Sequence, residues 1–419
     1  MQPLRGTKDI LPDETIYWQY IYDQAIQILS LHNYTEIRTP ILESTQLFER
    51  SIGETTDIIN KEMYTFKDQS GRNITLRPEG TASIARAFIN NKLYQRKIQR
   101  LWYCGPMFRY ERPQSGRQRQ FHQLGIECIG SLNPMADAEV IHLANKLLNQ
   151  MKLNNYILEI NSIGNLEERK KYQTDLIDYL KPYTKDLDND SQKRLHINPL
   201  RILDSKNIKT QEILYYAPSL NKYLTKQSIE HFNSVCSYLD SLQIQYNINY
   251  KLVRGLDYYN YTAFEIKTKL LGTQNTICGG GRYDTLIKQL GGPETPAVGW
   301  AIGLERLLHI VQNQLQIPNN NSRIYIITQG IEAQKKIWKI IKNLENEKIP
   351  FELDLSNTSF QKQIKKAVKS GAKLCIIIGD NEIINNSITI KILNQHKQYT
   401  IPYENLLNEI NQLSIKSEL

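Results

Sequence analysis

Residues Leu252 to Glu265, LVRGLDYYNYTAFE, bring Arg254, Asp257 and the adjacent tyrosines Tyr258 and Tyr259 into one short segment, a combination suited to holding a small polar ligand. An earlier segment, Phe108 to Glu127 (FRYERPQSGRQRQFHQLGIE), carries Arg109, Arg112, Arg117 and Arg119 within eleven residues. Charged clusters this far apart in the chain imply one pocket assembled by folding. The fold therefore has to carry both segments to the same place.

At 419 residues the chain exceeds what one hydrophobic core usually organises, so two or more domains are expected. A formal net charge of +9 favours a polyanionic partner, although many soluble proteins without one have the same balance. The five cysteines, Cys104, Cys128, Cys236, Cys278 and Cys375, are scattered, with no CxxC pair and no histidine at zinc-site spacing. They read as reduced structural thiols, and no tightly bound protein metal is expected. No apolar run approaches the roughly 20 residues of a membrane span, and the start MQPLRGTKDILP lacks a signal core or an amphipathic transit segment. A protein with no membrane partner, used where it is made, is expected. Abundant Ile, Asn, Lys, Gln and Tyr match AT-rich coding and point to a plastid or a reduced bacterial genome.

From Thr15 to Leu31 apolar residues recur at helical spacing, and TEIRTPILE then switches to a period of two. Pro40 interrupts that strand, which places it at a sheet edge or boundary. Ile98 to Arg109 and Gln120 to Ile129 read as the strands of an antiparallel hairpin around an arginine-rich turn. From about 166 to 242 the pattern is helical and polar, an insertion between two halves of one site. A helix follows Glu305 and Arg306 as far as Leu315, and IPNNNSR at 317–323 is a break, taken as the domain boundary. Beyond it, short apolar strands (Ile324 to Thr328, Leu374 to Gly379) alternate with helices (Ala333 to Asn346, Phe360 to Ser370), the pattern of a small α/β domain.

The two charged segments resemble motif 2 and the histidine-specific signature of histidyl-tRNA synthetases. CGGGRYDTLIKQLGG followed by PAVGWAIGLERLL resembles that family's motif 3, TEIRTPILE its motif 1, and the likeness runs from PLRGTKDILP to IIIGDNE. The resemblance implies a class II α+β catalytic domain with an antiparallel sheet at 1–320, carrying the mainly helical insertion, and a C-terminal α/β anticodon-binding domain at 321–419. It implies a homodimer that activates histidine with ATP and Mg²⁺, then passes it to the 3′ end of tRNA(His). Motif 1 then lies at the dimer interface; read from residues alone it is equally an ordinary edge strand.

Arginine suits phosphate because its planar fork donates paired hydrogen bonds and keeps its charge. By resemblance Arg109, Arg254 and Arg306 are the catalytic cations, Arg109 and Arg254 on the ATP α-phosphate and Arg306 on the γ-phosphate. Alone, Arg109 would more often be a surface ion-pair member, and Arg254 could form a structural pair with Asp257. Arg117 and Phe121 join Arg109 and Arg306 in binding ATP, Phe121 stacking on adenine, although a core phenylalanine would look the same.

Glu127 and Tyr259 are placed on the imidazole with Tyr283 closing the pocket, and Glu79, Thr81 and Gln123 take the α-amino group. A carboxylate and a phenol flanking an imidazole reject apolar isosteres, which would leave buried polar groups unpaired. Arg112, Gln114 and Arg119 in the turn are assigned to tRNA. So are Lys362 and Lys366, on a helix that without this resemblance would be a solvated face. Tyr110, Tyr261 and Ser205 (in RILDSK) depart from the residues usual in the family, none at a proposed catalytic position. The rival reading is the regulatory subunit of ATP phosphoribosyltransferase, a histidine-binding paralogue that usually lacks the anticodon domain. Localisation is expected to be bacterial cytoplasm or plastid stroma.

Overall fold

The computed structural model describes residues 1–53, 56, 58–113, 116–271, 275–315, 317, 324–395 and 397–415. The chain forms two compact units, Met1–Ile317 and Pro318–Leu419.

The first unit opens with the helix Pro12–Leu31, begun by proline at its first position and by acidic Asp13 and Glu14, both favourable at a helix N-terminus. Ile21, Ala25, Ile28 and Leu29 are its buried stripe. Strand β1 (Thr35–Glu36) follows, then β2 (Leu42–Ser44), β3 (Tyr64–Lys67) and β4 (Asn73–Leu76). Pro40 does more than mark an edge. It separates β1, the edge strand of the main sheet, from β2, which joins a separate three-stranded sheet ordered β2-β4-β3.

The main sheet is completed by β5 (Gln99–Phe108), β6 (Gln120–Ile129), β7 (Ile157–Ser162), β8 (Asn247–Ile248), β9 (Asn260–Lys267), β10 (Thr276–Arg282) and β11 (Ala297–Gly303). Its order is β1-β5-β6-β11-β10-β9-β7-β8. The interior pairings are antiparallel, and only the edge pairs β1–β5 and β7–β8 are parallel, so the sheet is mixed. The hairpin β5–β6 is ten residues long on each side, in register from Gln99 opposite Ile129 to Phe108 opposite Gln120.

Alternation along the strands divides the core. Trp102, Leu124, Ile126, Phe264 and Trp300 lie in one cluster with the helices Pro12–Leu31 and Pro134–Gln150. Leu101, Tyr103, Tyr259 and Tyr283 point to the other face, with the helix Thr81–Asn90. The polar span read as one insertion is shared between the two. Its first helix, Leu166–Leu180, buries Tyr172, Leu176 and Leu180 in the second cluster, while its last, Lys226–Ser241, buries Phe232, Val235 and Leu239 in the first.

Arg282, within GGGRYD, is a structural residue. It is 0% exposed and pairs with Asp137, with Asp284 at 3.1 Å and the Ser131 carbonyl at 2.8 Å. Burial alone would raise the Asp137 carboxyl, but Arg282 and His231 outweigh it and hold it at about 2.

In the second unit, β12 (Ile324–Thr328) pairs in parallel with β13 (Phe351–Leu353) and β14 (Leu374–Ile378). Strands β15 (Ser387–Ile392) and β16 (Lys397–Pro402) extend the sheet antiparallel. The helix Ile331–Asn346 packs on one core, burying Ala333, Ile337, Ile340 and Leu344. The helix Phe360–Lys369 lies over a second, smaller core with Ala367 buried and its lysines exposed.

Replacing Asp137 by asparagine leaves a buried guanidinium short of a counter-charge, and such a loss costs about 3–5 kcal/mol. The expected result is a lower urea midpoint for Asp137→Asn. Because the folded-state pKa is depressed, the ionised carboxyl stabilises the fold in full above the ordinary carboxylate range, and this contribution is lost as pH falls through about 2.

Candidate active site

A cavity of about 380 Å³ lies where the two charged segments meet. Phe121 and Gln123 of β6, Gly279 of β10 and Ala301 of β11 line it, together with the Arg254–Tyr259 loop, Glu79 and Thr81. The cross-strand register brings these parts together. Gly279 stands opposite both Glu265 and Ala301, and Gln123 opposite Gly303.

The cavity is rich in arginine. Arg109, Arg117, Arg254 and Arg306 all line the cavity. Arg109 Nε donates to the Pro78 carbonyl at 2.9 Å, and its guanidinium lies 5.2 Å from the Phe121 ring centre. Arg117 lies 3.0 Å from Glu111, and Arg306 donates to the carbonyls of Gly116 and Thr276, each at 3.0 Å. Burial lowers the Arg306 pKa, and the neighbouring charge of Arg117 lowers it further. Cations that repel one another in a confined space favour an anionic ligand.

Arg254 is paired with Glu265, not with Asp257 as the simplest structural alternative had it. Asp257 instead accepts from Asn198 Nδ2 at 2.9 Å. Burial pulls the Arg254 pKa down, but Glu265 and Tyr259 more than restore it.

Two buried carboxylates, Glu79 in the lining and Glu127 beneath it, have their own partners. Both Glu79 oxygens accept backbone N–H groups, from Thr81 and Ala82 at 2.7 Å each, at the start of the helix Thr81–Asn90. Glu127 accepts from Thr81 Oγ1 at 2.7 Å and from the Tyr283 hydroxyl. Burial pushes the Glu127 carboxyl up to about 8, the bonds from Tyr283 and Thr81 pull against it, and the charge of Glu79 adds to the rise. Gln123 Oε1 is buried without a hydrogen-bond partner among the described residues.

The expected residues therefore fall into three groups. Glu79, Thr81, Arg109, Arg117, Phe121, Gln123, Arg254, Tyr259 and Arg306 line the cavity. Glu127 and Tyr283 lie beneath its lining, tied to it through Thr81. Outside it, Arg112 is exposed, and Arg119 stacks 3.7 Å from the Tyr110 ring centre and donates to the Glu111 carbonyl. Gln114 lies outside the described residues, and Lys362 and Lys366 belong to the second unit.

Sequence reasoning missed Glu265, Thr276, Glu111 and Asp204, which also line the cavity. Glu265 ends the very run that drew attention to Arg254, yet only the β9–β10 register reveals that it faces the pocket. Asp204 comes from the helical span, where nothing in RILDSK signals it, and burial, followed by the charge of Glu265, raises its pKa to about 6.

The sequence profile of histidyl-tRNA synthetases matches residues 6–307, and an anticodon-binding domain profile matches residues 323–413. This chain belongs to the histidyl-tRNA synthetase family. Among histidyl-tRNA synthetases it is 71% identical over 413 residues to the histidine–tRNA ligase of Gracilaria tenuistipitata var. liui, covering 99% of this chain and 98% of that one. The enzyme of Pyropia yezoensis is 57% identical, with coverage of 99% and 97%, and both relatives are labelled chloroplastic. The apo histidyl-tRNA synthetase of S. aureus superposes with a TM-score of 0.81 at 37% identity, covering 98% of this chain and 99% of that one.

In this synthetase the Tyr283 bond favours ionised Glu127, so Tyr283→Phe should move the carboxyl pKa above about 8. Carboxyl infrared titration of wild type against Glu127→Gln isolates the signal, and its midpoint should rise in the Phe variant.

Proposed function

We propose that the cavity carries out both half-reactions of histidine–tRNA ligation, the activity of the family. The observation that carries this reading is that one pocket gathers the guanidinium groups of Arg109, Arg117, Arg254 and Arg306 and, as a second set, the buried Glu79 carboxylate and the unpartnered Gln123 oxygen. A polyphosphate suits the first and an amino acid ammonium group the second.

Glu79, Thr81 and Gln123 hold the α-amino group, each Glu79 oxygen keeping a lone pair after accepting its backbone N–H. Tyr259, with Glu127 and Tyr283 behind it, reads the imidazole. ATP lies along Phe121, with Arg109 on the α-phosphate, Arg306 toward the γ-phosphate, and Arg117 beside them. The histidine carboxylate attacks the α-phosphorus, the bond to the bridging oxygen breaks, and diphosphate leaves with its electron pair. Arg254 sits where negative charge grows and stabilises it without forming a covalent bond. A terminal ribose hydroxyl of tRNA then attacks the histidyl carbonyl, and AMP departs.

Mg²⁺ arriving with ATP would neutralise phosphate charge, while Glu265 stays committed to Arg254, Lys267 and Thr276. Residues 1–320 are the catalytic domain and 321–419 the anticodon-binding domain. Arg112, Gln114 and Arg119 serve the acceptor end of tRNA(His), and Lys362 and Lys366 the anticodon stem. The working form is a homodimer. The chloroplastic labels of the Gracilaria and Pyropia relatives support a plastid location.

Histidine-dependent exchange of labelled diphosphate into ATP tests the reading. Wild type should exchange, and Arg254→Ala should fall by roughly 100- to 1,000-fold, the loss typical of removing one preorganised charge-stabilising donor. Histidine binding without any exchange would point to a regulatory protein instead.

A further inference from the structure

The helical span from Leu166 to Ser241 contacts the histidine-site loop through Arg169 and Asn198, among others. Arg169 lies in the first turn of the helix Leu166–Leu180, fixed by a capping box in which Asn165 and Glu168 satisfy each other's backbone N–H groups. Its Nη1 donates to the Tyr259 carbonyl at 2.5 Å. Tyr259 precedes β9, so this carbonyl lies outside the strand ladder. The second contact comes from Asn198, just past the helix Asn189–Ile197, whose Nδ2 donates to Asp257 Oδ1 at 2.9 Å.

Behind this strip of loop is a cavity of about 260 Å³, lined in part by Leu200, Val253 and Leu256. A loop backed by open space can retreat into it unless it is held. Arg169 holds the Tyr259 carbonyl itself, whereas the Arg254 guanidinium in the same loop is tied separately to Glu265, so the anchor bears on Tyr259 first. A charged donor on a neutral carbonyl is a strong, directional anchor. Burial lowers the Arg169 pKa, and the nearby charge of Asp257 acts against that fall.

We propose that Arg169, with Asn198 beside it, is a positioning residue for histidine: from the helical span it holds the Asp257–Tyr259 backbone forward, so that Tyr259 meets the amino acid. The proposal rests on the ligase reading above. It gives the helical span a part in amino acid selection that its polar sequence does not signal.

Steady-state diphosphate exchange with separate titrations of histidine and ATP tests it. Arg169→Gln should raise the KM for histidine by roughly 10- to 100-fold, the scale expected when a binding group moves by about 1 Å, and leave the KM for ATP near the wild-type value. Arg169→Lys, which keeps a charged donor, should recover part of the loss. Asn198→Ala should give a smaller rise of the same kind and serves as the test if Arg169→Gln does not fold. A purely structural role would lower the amount of active enzyme and change neither KM. The proposal is overturned if the histidine KM is unchanged in the variants that fold, or if both KM values rise equally, while wild type is active. A wild-type chain without exchange would sink the ligase reading and this inference with it.

Discussion

Two missing side chains make room for the chemistry of this pocket. A Cβ on Gly279 would land on the Arg254 guanidinium, and one on Gly299 would land on the Glu127 carboxylate. Both glycines sit on neighbouring interior strands, β10 and β11, where alternation turns every second residue toward the cavity face. A larger residue at either position would force the charged group away from the sheet. The bare backbone thus lets a cation and a carboxylate lie against strands that are themselves fixed by antiparallel ladders on both sides.

From that arrangement the electrostatics follow. Glu127 loses hydration and recovers only part of it through Thr81 and Tyr283, so its carboxyl is pushed up to about 8. Arg254 loses hydration too, but Glu265 compensates and its charge is secured. Groups confined in this way cannot reorient as bulk water does, and this is what makes them effective when charge develops on a bound substrate. Arg306 and Arg117 line the same cavity, and the charge of Arg117 adds to the burial that lowers the Arg306 pKa. A ligand with an ammonium group at one end and a polyphosphate at the other relieves both strains.

Much of this is legible in the sequence. The β5–β6 hairpin, strand β12 and the helix Pro12–Leu31 come from local periodicity, which survives folding because each element buries one face. Pro40 was legible as a boundary, but not as the divider between two sheets, since pairing partners lie far away in sequence. Glu265 and Asp204 escaped notice for the same reason: strand register and a turn of the helical span bring them to the cavity, and neither leaves a local pattern. Arg282 shows the converse. It stands beside functional-looking glycines, yet its side chain is committed to the buried pair with Asp137.

The measurement that tests the account most directly is diphosphate exchange by Gly279→Ala, alongside its urea unfolding curve and far-ultraviolet circular dichroism. If the bare backbone at β10 is what seats Arg254, one added methyl group should displace the guanidinium. Exchange should then fall by about 100-fold, the loss expected for a misplaced catalytic group, with the fold preserved. Exchange within a few-fold of wild type in a properly folded variant would contradict the claim that the strand's missing side chain fixes the catalytic cation.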